Sequence, residues 1–577
     1  MGFKKEIKIP LLFLALVLTV FAWRVLTKPG YFSMHDDMQA FRLLQMEKCF
    51  KDGQIPCRWI PDGGFGFGYP LFNYYPPLPY YLGQVIHALG FSILNSVKIV
   101  FVLGFLGAAL AMFFLGSALW GSWGGLLSSV LYTYAPYHSL DIYARGALNE
   151  FWALVWLPAI LWSIYEFVRT EEQKYLRWLV FLGACLLLTH NAMVLIFAPV
   201  ILGWLFLNLL LEKKLKLLKR FIGPGLLAVG MAAFFFLPVV FEKRFVHVET
   251  MLMGYFNYLA HFVTLRQLFF DRSWGWGASV WGTDEKISFQ IGWPHWWLSF
   301  LVLLIFAFFP KRQGERTISK KRFNAFFLFA VGLGTAFMAH SRSTFIWKKL
   351  PVLDYLQFPW RFLTLVIFGF SAVAGGVVWF LNRKKSFRFL APVLSLSLVA
   401  LTVILNAAYF KPEVYYDNLT DNQKFSDPVE WKKQVTSGIF DYLPNSAPFP
   451  PGEPAPDQAW FESGEGEIVD YQRGTNWYRF TAQVDSPGAT IKIPTFDFPR
   501  WELEVNEKIA VFQVDEELGR PYFDLKKGQH QVNFQLKNTL VRTLANWLSL
   551  VSWLVFLSMV LFFGKDKAKA KIKGEKK

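Results

Sequence analysis

The chain has 577 residues, of which 54% are hydrophobic and 19% aromatic, and it carries a formal charge of +17 at a mean hydropathy of +0.31. Apolar runs recur from end to end, which excludes an ordinary soluble enzyme and indicates a polytopic α-helical membrane protein. The Lys and Arg residues fall in short clusters between those runs rather than in one patch, so the charge reads as membrane topology and not as a nucleic-acid surface.

The first apolar run, LLFLALVLTVFAW, follows Lys4, Lys5 and Lys8, and no small-x-small cleavage pattern comes after it. It is expected to be an uncleaved first helix. Immediately beyond it stands FSMHDDMQAFRL, with His35, Asp36 and Asp37 in a row. Two adjacent carboxylates beside a bilayer cost solvation free energy and need a reason. Either one is a general base, or the pair ligates a divalent cation. In an extended segment their side chains would diverge, leaving one to face a site. Asp36 is slightly favoured as the base, with His35 beside it to orient it.

Cys49 and Cys57 lie in the same loop and are candidates for a disulfide if the loop faces an oxidising compartment. Cys185 sits in an apolar run and is expected to be inert. The stretch PDGGFGFGYPLFNYYPPLPYY lacks the Lys-Ser/Thr pair and strand–helix setting of a phosphate loop. Its turns and tyrosines suggest an ordered aromatic loop lying on the membrane, either lining a sugar or lipid cleft or forming an interfacial belt.

About twelve spans are expected, starting near Ile9, Ile99, Gly124, Ala147, Trp178, Met193, Phe221, Trp296, Phe323, Phe362, Phe389 and Val541. With the N-terminal lysines inside, alternation puts the basic clusters at 169–177, 213–220, 311–322 and 383–388 and the tail KDKAKAKIKGEKK on the same side, provided the run 77–94 stays outside. Both termini are then cytoplasmic and the chain is multi-pass in the cell membrane. The expected organisation is a transmembrane domain over 1–409 with a large first outer loop at 27–97. An extracytoplasmic β-rich domain follows over 410–540, then a last helix at 541–563 and a basic tail at 564–577. The β-rich assignment rests on period-two alternation in GATIKIPTFDFPRWELEVNEKIAVFQV and HQVNFQLK, consistent with a small antiparallel β-sandwich.

Other polar groups fall at the ends of spans on that outer side. YARGALNEFW supplies Arg145 and Glu150, LLLTHNAMV supplies His190 and Asn191, and LQFPWRFL supplies Gln357 and Arg361. Arg145 and Arg361 run against the positive-inside bias and stand at or near helix N-termini, where a phosphate would satisfy both the guanidinium and the free N–H groups. Trp274 and Trp276, in FFDRSWGWGASVWG, are candidates for stacking on sugar rings.

These motifs together resemble the GT-C glycosyltransferases. HDDMQAFR, GQIPCRWIPDGGFGFGYPLFNYYPPLPYYL, RGALNE, LLLTHN, QFPWRFL and the C-terminal FPRWELEVNEK and LKKGQHQVNFQLKNTLVRT are similar to the bacterial and archaeal 6-pyruvoyl-tetrahydropterin-synthase-related membrane proteins. No His trio suited to the zinc site of a pterin synthase is present. The resemblance implies a GT-C-like bundle and a polyprenyl-phosphate-linked sugar as donor, transferred with inversion on the outer face. It places the first-loop acid on Asp36 or Asp37 and a second acid on Glu150. Some relatives hold Mg²⁺ or Mn²⁺ with such acids, which makes Asp36 and Asp37 the metal candidates, although no Asp-x-Asp stands in this first loop. Two other readings are a lipid-linked-sugar transporter and a non-catalytic envelope protein that binds glycan or protein. The clustering of polar groups at one rim, with no internal repeat, favours the enzyme over the transporter.

Overall fold

The computed structural model describes residues 8–280, 285–308, 316–381, 387–428, 431–432 and 442–574, without the side chains of 316–317 and 562–574. Parts of the basic clusters (311–315 and 383–386), Trp281 and Gly282 of the aromatic stretch, and parts of 410–540 lie outside the described residues. Each of the twelve expected starts falls on a helix or one residue before it. Among the described residues, seven of these segments are long and apolar enough to cross a bilayer: Ile9–Thr27, Ile93–Trp120, Leu148–Thr170, Asn191–Glu212, Pro359–Leu381, Leu390–Tyr409 and Leu540–Leu561. The chain is a helical membrane protein. The helices Ser122–Thr133 and Gln173–Leu187 have 12 and 15 residues. At about 1.5 Å per residue both fall short of the ~30 Å hydrocarbon core.

One further apolar pair is bent: the segments Leu215–Met231 and Ala233–Phe245 meet at 78°, the shape of a broken span or of a re-entrant loop. Such a break frees backbone groups that must find partners away from water. The last helix supplies them: Ser549 Oγ donates to the Gly230 carbonyl (3.0 Å) and accepts from Phe234 N–H (2.8 Å), and Trp553 Nε1 donates to the Met231 carbonyl (3.1 Å).

Two sheets complete the fold. β1 (Gly30–Phe32) pairs antiparallel with β2 (Tyr415–Asp417), tying the exit of the first helix to the start of the C-terminal region. The second sheet holds β3 (Trp460–Ser463), β4 (Gly466–Arg473), β5 (Trp477–Lys492), β6 (Trp501–Val505), β7 (Lys508–Ala510), β8 (Gln513–Val514) and β9 (Pro521–Leu536). All its pairings are antiparallel, in the order β3-β5-β9-β6-β7, with β4 also on β5 and β8 on β9. The alternation read from the sequence is visible in what is buried: Tyr478, Phe480, Ala482 and Val484 of β5 face inward with Val532, Phe534 and Leu536 of β9, and Trp501 stacks on Phe534 at 4.7 Å.

The glycine-rich aromatic loop occupies a different place from the membrane surface expected of it. Trp59, Phe65, Phe67 and Tyr69 are all buried, and the loop is clamped under the larger sheet. Trp59 meets Trp501 edge-on at 5.5 Å and Phe67 packs on Phe496 at 5.2 Å. Arg473 Nη2 donates to the carbonyls of Pro61 (3.0 Å) and Gly66 (2.7 Å). The glycines permit this approach. A Cβ on Gly64 would sit 2.5 Å from the Phe496 ring, and one on Gly68, whose φ is +80°, would sit 2.4 Å from Trp59 Nε1.

Cys49 and Cys57 are joined by a disulfide at the base of this loop, and Cys185 is buried as a free thiol. Both bridged sulfurs belong to buried residues. Alkylation of the two should stay low in native membranes until a reductant is added. Ready labelling of both thiols without reductant would show that the loop is held without the bridge.

Candidate active site

The acidic stretch forms a turn over residues 35–38, ahead of the helix Gln39–Lys51, rather than the extended segment expected. The turn is fastened to a second element. His35 N–H donates to the Ala144 carbonyl (2.8 Å), Asp36 N–H to the Arg145 carbonyl (2.9 Å), and Gln39 Nε2 to the Gly146 carbonyl (2.7 Å). Gly146 has a φ of +68° and lies against Met34, where a Cβ would come 2.4 Å from the sulfur. Sequence positions more than a hundred residues apart are thus joined backbone to backbone.

Arg145 follows a π-helical turn, Leu140–Ala144, a geometry that often marks functional sites. Its guanidinium donates to Asp141 Oδ1 (2.5 Å) and Glu150 Oε2 (2.9 Å) and lies 4.5 Å over the Trp360 ring. Arg361 approaches the same carboxylate from the far side, Nε to Glu150 Oε2 at 3.2 Å, and donates through Nη1 to the Leu356 carbonyl (2.7 Å) and Gln357 Oε1 (3.1 Å). Tyr137 O–H donates to the other oxygen of Glu150 (2.6 Å). The Glu150 side chain is 1% exposed, those of the two arginines 11% and 13%. Glu150 is therefore the hub of a buried ion cluster, with every oxygen engaged. Gln357 is buried and holds a φ of +62°, a strained conformation for a residue with a side chain.

Asp141 was not among the residues picked out by sequence. Its carboxyl is fully buried and Oδ2 has no hydrogen-bond partner. Burial, then the neighbouring Glu150, pushes its pKa well above the carboxylate range, while Arg145 and Arg361 oppose the shift. Two guanidinium groups thus meet one carboxylate, Glu150, whose charge they favour, and a second carboxyl, Asp141, that burial pushes towards its neutral form. Among the described residues, Nη2 of Arg361 donates to no protein group.

The two neighbouring aspartates part company. Arg42 grips Asp36 as a fork, Nη1 to Oδ2 at 2.9 Å and Nη2 to Oδ1 at 3.3 Å, and Gln39 Nε2 adds a bond to Oδ2 at 3.1 Å. Arg42 itself lies 4.2 Å over the Tyr75 ring and donates to the Tyr75 and Tyr80 hydroxyls. Asp37 instead pairs through Oδ2 with Lys424, from the helix Asp421–Lys424 beyond β2. Its Oδ1 is buried without a partner. The His35 ring bonds to the Trp276 carbonyl at 2.5 Å and to neither aspartate. The reason for favouring Asp36 over Asp37 is thus absent from the structure.

The remaining candidates divide. His190 caps the helix Asn191–Glu212 through its Nδ1. Burial and then Arg361 depress its pKa and hold the ring neutral, while Glu150 acts in the opposite sense. It therefore lies within the field of the cluster. Asn191 donates to the Tyr74 carbonyl (3.4 Å). Trp274 stacks on Tyr409 at 5.0 Å, and Trp276 Nε1 donates to the Lys411 carbonyl (3.1 Å). One face of Trp274 is thus covered by a protein ring, while the bond of Trp276 is made at its ring edge. The Tyr75 hydroxyl feels Arg42, Asp36 and Arg361 together, which links the aspartate turn to the arginine cluster.

A divalent ion does not fit this arrangement. Asp36 and Asp37 direct their carboxylates to separate cations, and no three His, Cys, Asp or Glu side chains converge among the described residues.

An uncharacterised protein of Lactococcus lactis subsp. cremoris (strain MG1363) is 26% identical over 283 residues, 46% of this chain and 44% of the relative. The chain thus spans less than half the length of that relative. Among solved structures, the Archaeoglobus fulgidus oligosaccharyltransferase AglB, in complex with an inhibitory peptide and a dolichol-phosphate, is similar at 12% identity and a TM-score of 0.42, covering 78% of this chain and 62% of that one. The arabinosyltransferase EmbB of Mycobacterium smegmatis is similar at 10% identity and a TM-score of 0.28, covering 92% of this chain and 63% of that one. The family described as 6-pyruvoyl-tetrahydropterin synthase related domain, membrane protein, matches residues 72–412. That range is more than half of the chain and takes in Arg145, Glu150, His190 and Arg361, so the chain is a member of the 6-pyruvoyl-tetrahydropterin-synthase-related membrane protein family.

Proposed function

We propose that the protein is a membrane glycosyltransferase that moves a sugar from a polyprenyl-phosphate donor to a hydroxyl acceptor of the cell envelope, on the non-cytoplasmic side. The observation that carries this reading is the meeting, at one end of the helical bundle, of the aspartate turn with a buried arginine pair that has one guanidinium edge open. The GT-C-like motifs of the sequence support it. Arg361, with Arg145 behind it, receives the lipid phosphate and stabilises it as the leaving group. Asp37 accepts the proton of the attacking hydroxyl as the new C–O bond forms at the anomeric carbon and the bond to the phosphate oxygen breaks, inverting the configuration. Asp36, locked by Arg42, holds the turn. Glu150 anchors the arginines rather than touching substrate.

Mass spectrometry of lipid co-purified with the protein tests the substrate class, and a polyprenyl phosphate is the expected species. Asp37→Asn should slow transfer by about 10²–10⁴-fold. Asp36→Asn should act mainly through the fold of the turn, leaving the two variants at least about tenfold apart. Equal, near-normal rates in both would remove the base from the mechanism. Arg361→Ala should lose donor-lipid binding by about tenfold or more, and Arg361→Lys should restore only part of it, because lysine keeps the charge but not the fork. Unchanged binding in the alanine variant would refute the phosphate role.

A further inference from the structure

Asp37 is met by a cation from a different part of the chain, and other bonds also join the two parts. β1 and β2 join the two regions over three residue pairs. Ser33 N–H donates to the Val414 carbonyl (3.0 Å), and Asn418 N–H donates to the Pro29 carbonyl (3.3 Å). Asp421 receives the first N–H groups of the helix Ile93–Trp120, from Ile93 (2.7 Å) and Leu94 (3.0 Å). The segment is thus fixed before Lys424 is reached. Lys424 comes at the end of a short helix whose capping box, Thr420 with Gln423, sets its direction. Its ammonium lies on Asp37 Oδ2, and the Asp37 side chain keeps 35% of its surface exposed.

We propose that Lys424 is a positioning residue for Asp37: it holds one carboxylate oxygen, Oδ2, so that the unpartnered Oδ1 keeps a fixed direction. The proposal rests on the reading of Asp37 as the proton acceptor. Among the described residues, the charged and titratable groups that act on Asp37 are Lys424 and Asp36. Asp36 in the same turn repels its charge, and Arg42 is committed to Asp36. Tyr31 on β1 is buried, with a hydroxyl that has no hydrogen-bond partner, and the two aspartates make its ionisation harder still. Burial raises the pKa of Asp37 and Asp36 adds to the rise, while Lys424 opposes both. Among these groups only the Lys424 cation favours the charged carboxylate. Without it the Asp37 pKa would rise further and its charged form would be less favoured.

The proton on Asp37 can be read without any glycosyl substrate. Carbodiimides react with a carboxylic acid in its protonated form, so labelling of the full-length protein in detergent with a water-soluble carbodiimide, followed by peptide mass spectrometry, gives the pH at which Asp37 becomes reactive. Lys424→Met should move that midpoint upward by about one pH unit or more, the size expected for losing an opposite charge in contact. Lys424→Arg should bring it back towards the wild-type value. An unmoved midpoint in Lys424→Met, or an Asp37 that stays unlabelled at acidic pH in that variant, overturns the proposal. Asp37→Asn separates this result from the wider reading. If that variant transfers sugar at the normal rate, the base assignment fails. If it is inactive while the Lys424→Met midpoint is unmoved, only the role of Lys424 fails.

Discussion

Glu150→Ala should destabilise the protein by about 3–5 kcal/mol, because it leaves uncompensated charge in a buried site. Arg145 and Arg361 both direct N–H groups to Oε2 of this residue, at 2.9 and 3.2 Å. Tyr137 loses the acceptor of its hydroxyl in the same step. The other acid at hand, Asp141, reaches only Arg145 and is pushed by burial towards its neutral form. It cannot take over both guanidinium groups. Glu150→Gln should be nearly as severe, since an amide keeps the shape but removes the charge and turns an N–H₂ or a single oxygen towards two cations. Thermal unfolding of purified protein in detergent measures the effect. A loss below about 1 kcal/mol in both variants would mean that the arginines reach solvent in the folded state, and the open edge of Arg361 would then not be a special feature of the site.

The sequence disclosed the parts of this site that depend on local context. Apolar runs of about twenty residues located the spans, and breaks in the charge bias marked Arg145 and Arg361. The adjacent aspartates were conspicuous because nothing nearby accounted for them. What it could not disclose were partners set by the tertiary fold. Lys424 is 387 positions from Asp37, and no pattern in either segment points to the other. Asp141 was closer to legible: it stands four residues before Arg145, the spacing at which helical side chains meet. The PDGGFGFGYP loop shows a different limit. Buried aromatic surface looks the same in composition whether it faces lipid or a protein sheet, and only the position of Phe496 and Trp501 in space settles which. The count of spans is limited in a similar way. Hydropathy finds each helix, but where the chain breaks at Ala232, a bend and the side chains of the last helix decide the geometry.

The second large effect is expected far from the aspartates in sequence, at Glu242. This residue lies at the end of the bent helix pair and is 2% exposed. Its Oε2 accepts from Arg542 Nε (2.8 Å) and Asn73 Nδ2 (3.1 Å), and its Oε1 accepts from the Thr539 hydroxyl (2.5 Å). Arg58 is close enough to feel both charges. It donates to Asn73 Oδ1 (2.9 Å), the Phe234 carbonyl (2.8 Å) and Asn546 Oδ1 (2.7 Å). One carboxylate therefore balances two buried guanidinium groups where the first loop, the bent pair and the start of the last helix meet. Glu242→Ala should cost about 3–5 kcal/mol by stranding those cations. Replacing Glu242 and Arg542 together with apolar residues of similar volume should recover only part of the loss: the desolvation penalty of Arg542 and its repulsion of Arg58 are removed, but Arg58 stays buried without Glu242. The double-mutant cycle, measured by thermal unfolding in detergent, distinguishes an ion pair that holds the three elements from a hydrogen-bonded glutamate whose charge is incidental. Additive losses from the two single variants would establish the latter, and the joint would then owe its strength to Asn73, Thr539 and the packing of Arg542 on Phe498, whose ring centre lies 4.7 Å from the guanidinium carbon.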